Sequence, residues 1–231
     1  MKFFIKILLL MLFSVNAMAS VTLGNTRIIY PSNTLGKDIV FNNNDHSDYI
    51  IQAWVDNGDI DSTPEDADSD FILMPAMFKI QGKSNQVLRM MYSGQELPLD
   101  RESIFYFNFV QFPLSKTNDN QMVVVLKNRV KVLYRPKGLA SSLIKSVDKL
   151  TYNIKKGSLN IKNDSGYYIN IANVIVKSSN EEQMINNVTI SPFSSFKKSL
   201  AIKNPEEVKV SFINDQGGTF TRNMRVAINN K

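Results

Sequence analysis

Along most of this chain, short runs rich in valine, isoleucine, phenylalanine and tyrosine alternate with clusters of asparagine, aspartate, serine, glycine and proline. Runs of that make-up fit a pleated, half-buried surface and read as strands, and the clusters between them read as turns. Val21 to Tyr30 is a first strand, ended by Pro31-Ser-Asn33, and Asp38 to Phe41 a second, followed by the turn Asn42-Asn-Asn-Asp45. Tyr49 to Val55 is a third and holds Trp54, the only tryptophan. Asn57 to Asp70 is acidic and rich in turn formers, so it reads as an exposed loop. Phe71–Ile80, Gln86–Tyr92 and Ile104–Val110 are further strands, with a turn over Leu97–Ser103. No stretch carries a convincing helical period. Strands at this spacing argue for a β-sandwich.

The run Gln121 to Pro136 differs from the others. It contains Val123, Val124, Val125, Leu126, Val130, Val132, Leu133 and Tyr134 with no glycine, and its first proline is Pro136. A strand over that run is far longer than the usual five or six residues or so. Its Met122–Leu126 half is apolar on both faces, whereas Lys127, Arg129 and Lys131 add charge further along. A sandwich strand needs only one apolar face, so the uncharged half is either buried on both sides or prepared for an outside partner. After Gly138 the composition shifts: Leu139 to Leu150 reads as a linker, followed by strands at Leu159–Ile161, Tyr167–Val176, Val208–Ile213 and Thr219–Ile228. Asn214-Asp-Gln-Gly-Gly218 is a hairpin signal. Two sandwiches result, with a cleft between them.

The N-terminus adds an address. Lys2 and Lys6 flank and punctuate an apolar run from Ile7 to Val15, followed by Ala17-Met-Ala19. A basic region, a short apolar core and a small-x-small site make a secretory signal peptide, with cleavage expected after Ala19. The run is too short to span a bilayer, which takes about 20 residues. Without those 19 residues the 231-residue chain keeps 212, enough for two domains, here 20–138 and 139–231. The net charge of +6 falls to +4 without Lys2 and Lys6. With no basic cluster interleaved with aromatics, this speaks against nucleic-acid binding. No later stretch is long and apolar enough for membrane insertion. The absence of cysteine removes disulfides and thiolate metal sites.

An enzyme reading finds little to stand on. His46, the only histidine, lies in a polar turn, and no HExxH or glycine-rich phosphate loop is present. The acidic run lacks the spaced ligands and glycine of a calcium loop. No cofactor is expected.

Four spaced motifs carry a family resemblance: Thr26-Arg-Ile-Ile-Tyr30, Leu97-Pro-Leu-Asp-Arg-Glu-Ser-Ile-Phe-Tyr-Phe-Asn108, Lys131-Val-Leu-Tyr-Arg-Pro136 and Ile213-Asn-Asp-Gln-Gly-Gly218. In this order they resemble the periplasmic chaperones of the chaperone–usher pathway. The resemblance implies an all-β protein of two immunoglobulin-like β-sandwich domains set in an L shape. It implies periplasmic location, capture of pilus (fimbrial) subunits in a one-to-one complex, and delivery to an outer-membrane usher. The subunit is a sandwich lacking its last strand, and the chaperone lends its own, a form of strand addition.

By resemblance the donor side chains are Met122, Val124 and Leu126, and the subunit's C-terminal carboxylate is anchored by Arg27 and Lys131. Lys131 is out of phase with the donor set in an uninterrupted strand. Either a twist or bulge re-aims the strand between Lys127 and Val130, or the apolar set uses the other face. Glu102, Arg135 and Asp215 match the family's ion-pair network between domains. The short loop Pro113–Met122 matches the class with a short loop before the donor strand. Self-association of the free protein over that strand is compatible with the same reading. The rival reading is a pilus structural subunit or adhesin, but such subunits are single sandwiches with a flexible N-terminal extension, whereas Val21 follows the cleavage site almost at once.

Overall fold

The computed structural model describes residues 21–114, 125–139, 142–202, 204–224 and 227–228. The first sandwich is built from β1 (Val21–Leu23), β2 (Arg27–Pro31), β3 (Lys37–Asn43), β4 (Tyr49–Asp56), β5 (Phe71–Met74), β6 (Met77–Ile80), β7 (Asn85–Tyr92), β8 (Ser103–Pro113) and β9 (Leu126–Arg135). One sheet has the order β1-β3-β7-β5, the other β2-β9-β8-β4-β6. The second sandwich opens with a single-turn helix, α1 (Leu143–Val147). Its strands are β10 (Thr151–Lys155), β11 (Ser158–Asn163), β12 (Ile169–Lys177), β13 (Glu182–Ile190), β14 (Ser194–Ser199), β15 (Glu207–Ile213), β16 (Thr219–Met224) and β17 (Ala227–Ile228). They form sheets of order β14-β11-β10-β17 and β13-β12-β15-β16. The nearly all-β, two-sandwich architecture agrees with the sequence reading.

Several runs read as one strand are two. Val21–Tyr30 divides into β1 and β2, which join opposite sheets, with Gly24-Asn-Thr26 at the crossing. Phe71–Ile80 likewise divides at Pro75 into β5 and β6. Proline has no N–H to give a ladder, so the chain can leave one sheet there and enter the other. Thr219–Ile228 divides between β16 and β17. The linker holds α1, capped by the Ser142 hydroxyl accepting from Lys145 N at 3.4 Å. It packs through the buried Val147. Strands β10, β13 and β14 were not legible: polar residues such as Asn, Ser, Thr and Lys interrupt their apolar positions, because one of their faces meets solvent.

Alternation fixes which side chains enter the cores. β15 buries Val208, Val210 and Phe212 and turns Lys209 and Ser211 outward. The first core is aromatic: Phe41 meets Phe78 and Phe109 edge-to-face at 5.2 and 5.1 Å, and Phe71 meets Tyr30 and Phe105 similarly at 5.3 and 5.1 Å. Such pairs add about 0.5–1.5 kcal/mol each beyond burial. The second core is aliphatic, built around Leu159, Ile161, Ile169, Val174, Val176 and Val210.

Among the described residues, one backbone hydrogen bond joins the two sandwiches. Glu102 N donates to Gly166 O at 2.8 Å. Gly166 has no room for more: a Cβ there would stand 2.3 Å from Asp100 O and 2.6 Å from Leu139 Cδ2. Gly166→Ala is therefore expected to part the domains without unfolding either, at a cost of about 1–3 kcal/mol from overpacking. Calorimetry checks this: a single melting transition in the parent should broaden or split in the variant.

Candidate functional site

The site is built on the pairing of β2 with β9, which is parallel and sets Arg27 opposite Lys131, Ile28 opposite Val132, and Pro31 opposite Arg135. Ile28 and Val132 go into the core. The alternate residues Arg27 and Lys131 therefore leave the other face of the sheet, side by side, into a cleft of about 220 Å³ between the domains. Asn170 of β12 and Thr189 of β13, themselves a cross-strand pair, line its far wall. The Lys131 ammonium donates to Asn170 Oδ1 at 3.0 Å and to Thr189 Oγ1 at 2.5 Å. Arg27 Nε is buried without a hydrogen-bond partner.

Among the described residues neither cation forms a salt bridge. Burial lowers both pKa values. For Lys131 the neighbouring Arg27 lowers it further, while Asp215 partly counters the shift at Arg27. Two partly dehydrated cations without a counter-ion can accept a carboxylate, which Arg meets as a fork and Lys as a point charge.

The other end of the same pairing closes the domain junction. Arg135 Nε donates to Glu102 Oε1 at 2.6 Å, and its two terminal nitrogens donate to Asp215 at 2.7 and 2.9 Å. Glu102, fully buried, also accepts from Tyr168 N at 2.8 Å with its second oxygen. Burial pushes the Glu102 carboxyl up, against the pull of Arg135, and the Arg135 guanidinium is held above its ordinary value by its two carboxylates despite burial. Asp215 is aimed by the β15–β16 turn. There Asn214 Oδ1 accepts from Gln216 N and Gly218 N, and Gly217 adopts φ +86° against Thr26. A Cβ on Gly217 would lie 2.5 Å from Thr26 Oγ1, so only glycine allows the turn to sit this close to β2.

A third cluster lies beside the cleft. Asp56, with 0% side-chain exposure, accepts from both terminal nitrogens of Arg129 at 2.7 Å, from Ser62 Oγ at 2.7 Å, from Asn108 Nδ2 at 2.6 Å and from Gly58 N at 2.7 Å. Ser62 in turn accepts from Trp54 Nε1 at 3.0 Å. Lys127 donates to the carbonyls of Ile60 and Ser62. The acidic loop is thus tied down over the outer face of the sheet by β9, where the sequence reading had it merely solvated. Burial, the largest single influence on Asp56, pushes its pKa up, but the combined bonds outweigh it and hold the carboxyl below its ordinary value.

β9 pairs with β8 from Leu126↔Gln111 to Tyr134↔Ser103 in one unbroken register. β2 reaches only as far as Lys131. Among the described residues, the outer edge of Leu126–Val130 has no strand beside it. Leu126 is 52% exposed and Val125 44%. A groove of about 220 Å³ between β1 and this edge is lined by Val21, Leu23, Phe109 and Val130. The register is unbroken from Lys127 to Val130, so of the two alternatives a bulge there is not found: Leu126 shares the face of Val130 and Val132, and Lys131 the opposite one. Met122 and Val124 lie outside the described residues, as does nearly all of the short loop before them.

Comparison with known families settles the class. The family described as "Pili and flagellar-assembly chaperone, PapD N-terminal domain" matches residues 20–140, and "Pili assembly chaperone PapD, C-terminal domain" matches residues 145–223. The chain belongs to the PapD family of pilus-assembly chaperones. It is 31% identical over 204 residues to the probable fimbrial chaperone YehC of Escherichia coli, covering 87% of this chain and 84% of that protein. It is 29% identical over 225 residues to the chaperone HifB of Haemophilus influenzae, covering 93% and 91%. The crystal structure of the Pseudomonas aeruginosa CupB2 chaperone superposes with a TM-score of 0.78 at 25% identity, over 89% of this chain and all of that one. The family is one of assembly chaperones and not of enzymes. Both matched models are of chaperone domains, which leaves the pilus-subunit reading unsupported.

In this pilus-assembly chaperone the structure brings Arg27 and Lys131 together and joins Glu102, Arg135 and Asp215. Asp56, Arg129 and Asn170 were missed. Asp56 ends an apolar strand at the mouth of an acidic run, where a buried carboxylate looks no different from its solvated neighbours. Asn170, between the buried Ile169 and Ile171, left a fainter trace, since a polar residue within a buried run needs a partner.

Asp56→Ala would leave Arg129, only 19% exposed, without its counter-ion, and should destabilise the first domain by about 3–5 kcal/mol. The stability that Asp56 confers is present above the ordinary aspartate pKa of about 3.9 and is lost as pH falls through its depressed folded value. Denaturant titrations across the acid range should therefore show a steeper fall for the parent than for Asp56→Ala.

Proposed function

We propose that this chaperone holds a pilus subunit by adding the strand that ends in β9 to the subunit's open edge, while Arg27 and Lys131 grip the subunit's C-terminal carboxylate. What carries the reading is the placement of two cations without a salt-bridge partner beside a strand edge that, among the described residues, has no partner. A subunit strand laid along Leu126–Val130 would satisfy the backbone groups of both edges and bring its terminus to the cleft. In a regular continuation of β9, Met122 and Val124 fall on the face of Leu126, and these three are the side chains offered to the subunit's groove. Each would contribute roughly 1.5–3 kcal/mol when buried. Donor side chains and anchor then point to opposite faces, so the anchored terminus fixes the register in which the apolar side chains meet their pockets. The loaded chaperone passes its subunit to the outer-membrane usher. The work is done in the periplasm, after removal of a signal peptide ending at Ala19, by domains meeting at Gly138 and Leu139.

Arg27→Ala and Lys131→Ala should each abolish recovery of a co-expressed subunit from the periplasm and leave the melting temperature nearly unchanged. The double variant should lose little more, because both residues hold one group. Normal recovery with either single variant would overturn the anchor. For the donor strand, Val124→Asp combined with Leu126→Asp should give a folded, exported protein that retains no subunit. An unfolded product would instead place those side chains in the chaperone's own core.

A further inference from the structure

The cleft has two facing walls, each a cross-strand pair: Arg27 and Lys131 on the first domain, Asn170 and Thr189 on the second. Lys131 is rooted in β9, yet both hydrogen bonds to its ammonium come from the other domain. Lysine has three donors and no acceptor, so the oxygen of the Asn170 amide must be the atom that faces it. The Thr189 hydroxyl accepts from Lys131 and donates to the same Asn170 oxygen at 3.2 Å, which closes a triangle of polar atoms. Asn170 is only 6% exposed, and its amide is held in that orientation.

Both acceptors are neutral. The two arginines on this face of β9 each meet a carboxylate and are neutralised, Arg129 by Asp56 and Arg135 by Glu102 and Asp215, while Lys127 is held over the acidic loop by two carbonyls. At Lys131 the corresponding position carries an amide. From this contrast, and resting on the anchor reading above, we infer that Asn170 is a positioning residue that fixes the Lys131 ammonium beside Arg27 without cancelling its charge. Among the described residues, the third ammonium donor and the Arg27 guanidinium, which both line the cleft, stay available for the terminal carboxylate of a bound chain. The second domain thereby takes part in selecting a free carboxylate, although neither anchoring cation belongs to it.

The test uses a soluble synthetic peptide of alternating valine and serine, made once with a free C-terminal carboxylate and once with a C-terminal amide, and calorimetric binding to the full chaperone. The parent should prefer the acid by roughly tenfold or more, as a charge-assisted bond implies. Asn170→Asp puts a competing carboxylate on Lys131. It should bring the acid-to-amide ratio close to one and raise the melting temperature. Asn170→Ala, which removes the acceptor and adds no charge, should keep more of the preference than Asn170→Asp does. A purely structural role would weaken acid and amide equally and leave the ratio unmoved. If Asn170→Asp fails to fold, Thr189→Asp at the exposed second acceptor makes the same test. An unchanged ratio in the folded aspartate variant overturns the role of Asn170 alone. A parent with no preference for the acid overturns the anchor, and this inference with it.

Discussion

The parallel pairing of Arg27–Pro31 with Lys131–Arg135 is the constraint on which the rest of the molecule depends. Because β2 runs alongside only the second half of β9, one register sets three things at once. It places Arg27 against Lys131 at one end of the shared stretch. It delivers Arg135 to the domain junction at the other. It also leaves Leu126–Val130 with an edge that no described strand covers, because β2 begins at Arg27 and the chain before it has crossed to the other sheet as β1. A slip of one residue would exchange the faces of β9, sending Val132 into the cleft and Lys131 into an aromatic core. The aromatic packing of the first domain is therefore also what holds the cations in place.

Along one face of β9 stand Lys127, Arg129, Lys131 and Arg135, four cations at alternate or near-alternate positions. Arg129 and Arg135 are satisfied by buried carboxylates, and Lys127 by two loop carbonyls and the face of Trp54 at 5.1 Å. These bonds tie other parts of the chain to β9: the acidic loop through Asp56 and Ile60, and the second domain through Asp215. Buried pairs of this kind contribute little net stability over an apolar replacement, but removing one partner is costly. Their effect is to hold the strand and its surroundings in one arrangement.

The strand content and the two sandwiches were legible because apolar alternation and turn clusters report burial directly, whereas the pairing of Arg27 with Lys131 came only through the family resemblance of the spaced motifs. The sheet switches at Gly24–Thr26 and Pro75 were not legible, since both halves of each run are apolar and alternation cannot say which sheet a strand joins. β10, β13 and β14 escaped because their solvated faces are largely polar and break up the apolar runs that mark a strand. The ties made by Asp56 and Asn170 were illegible for a different reason. Whether a carboxylate or amide is buried depends on what the fold lays over it, and Asp56 lies 73 residues from Arg129 as Asn170 lies 39 from Lys131.

The charge arrangement also sets the cleft apart from its flanks. Dehydrating a cation is costly unless an anion comes with it, and the chain supplies anions on either side of the pair, Asp56 next to Arg129 and Asp215 next to Arg135. At Arg27 and Lys131 it supplies an amide, a hydroxyl and, more remotely, the field of Asp215. Burial leaves both members of that pair less comfortable than their neighbours and lowers the pKa of each, and Arg27 lowers that of Lys131 further. That discomfort is tolerable because the cleft stays open to water. On the proposed reading a carboxylate entering the cleft would relieve it, and part of the free energy of capture would then come from strain the empty chaperone already carries. A protein that must bind its client firmly and later give it up has reason to leave such a site uncompensated by its own side chains, since a carboxylate of its own would always be nearer than the client's.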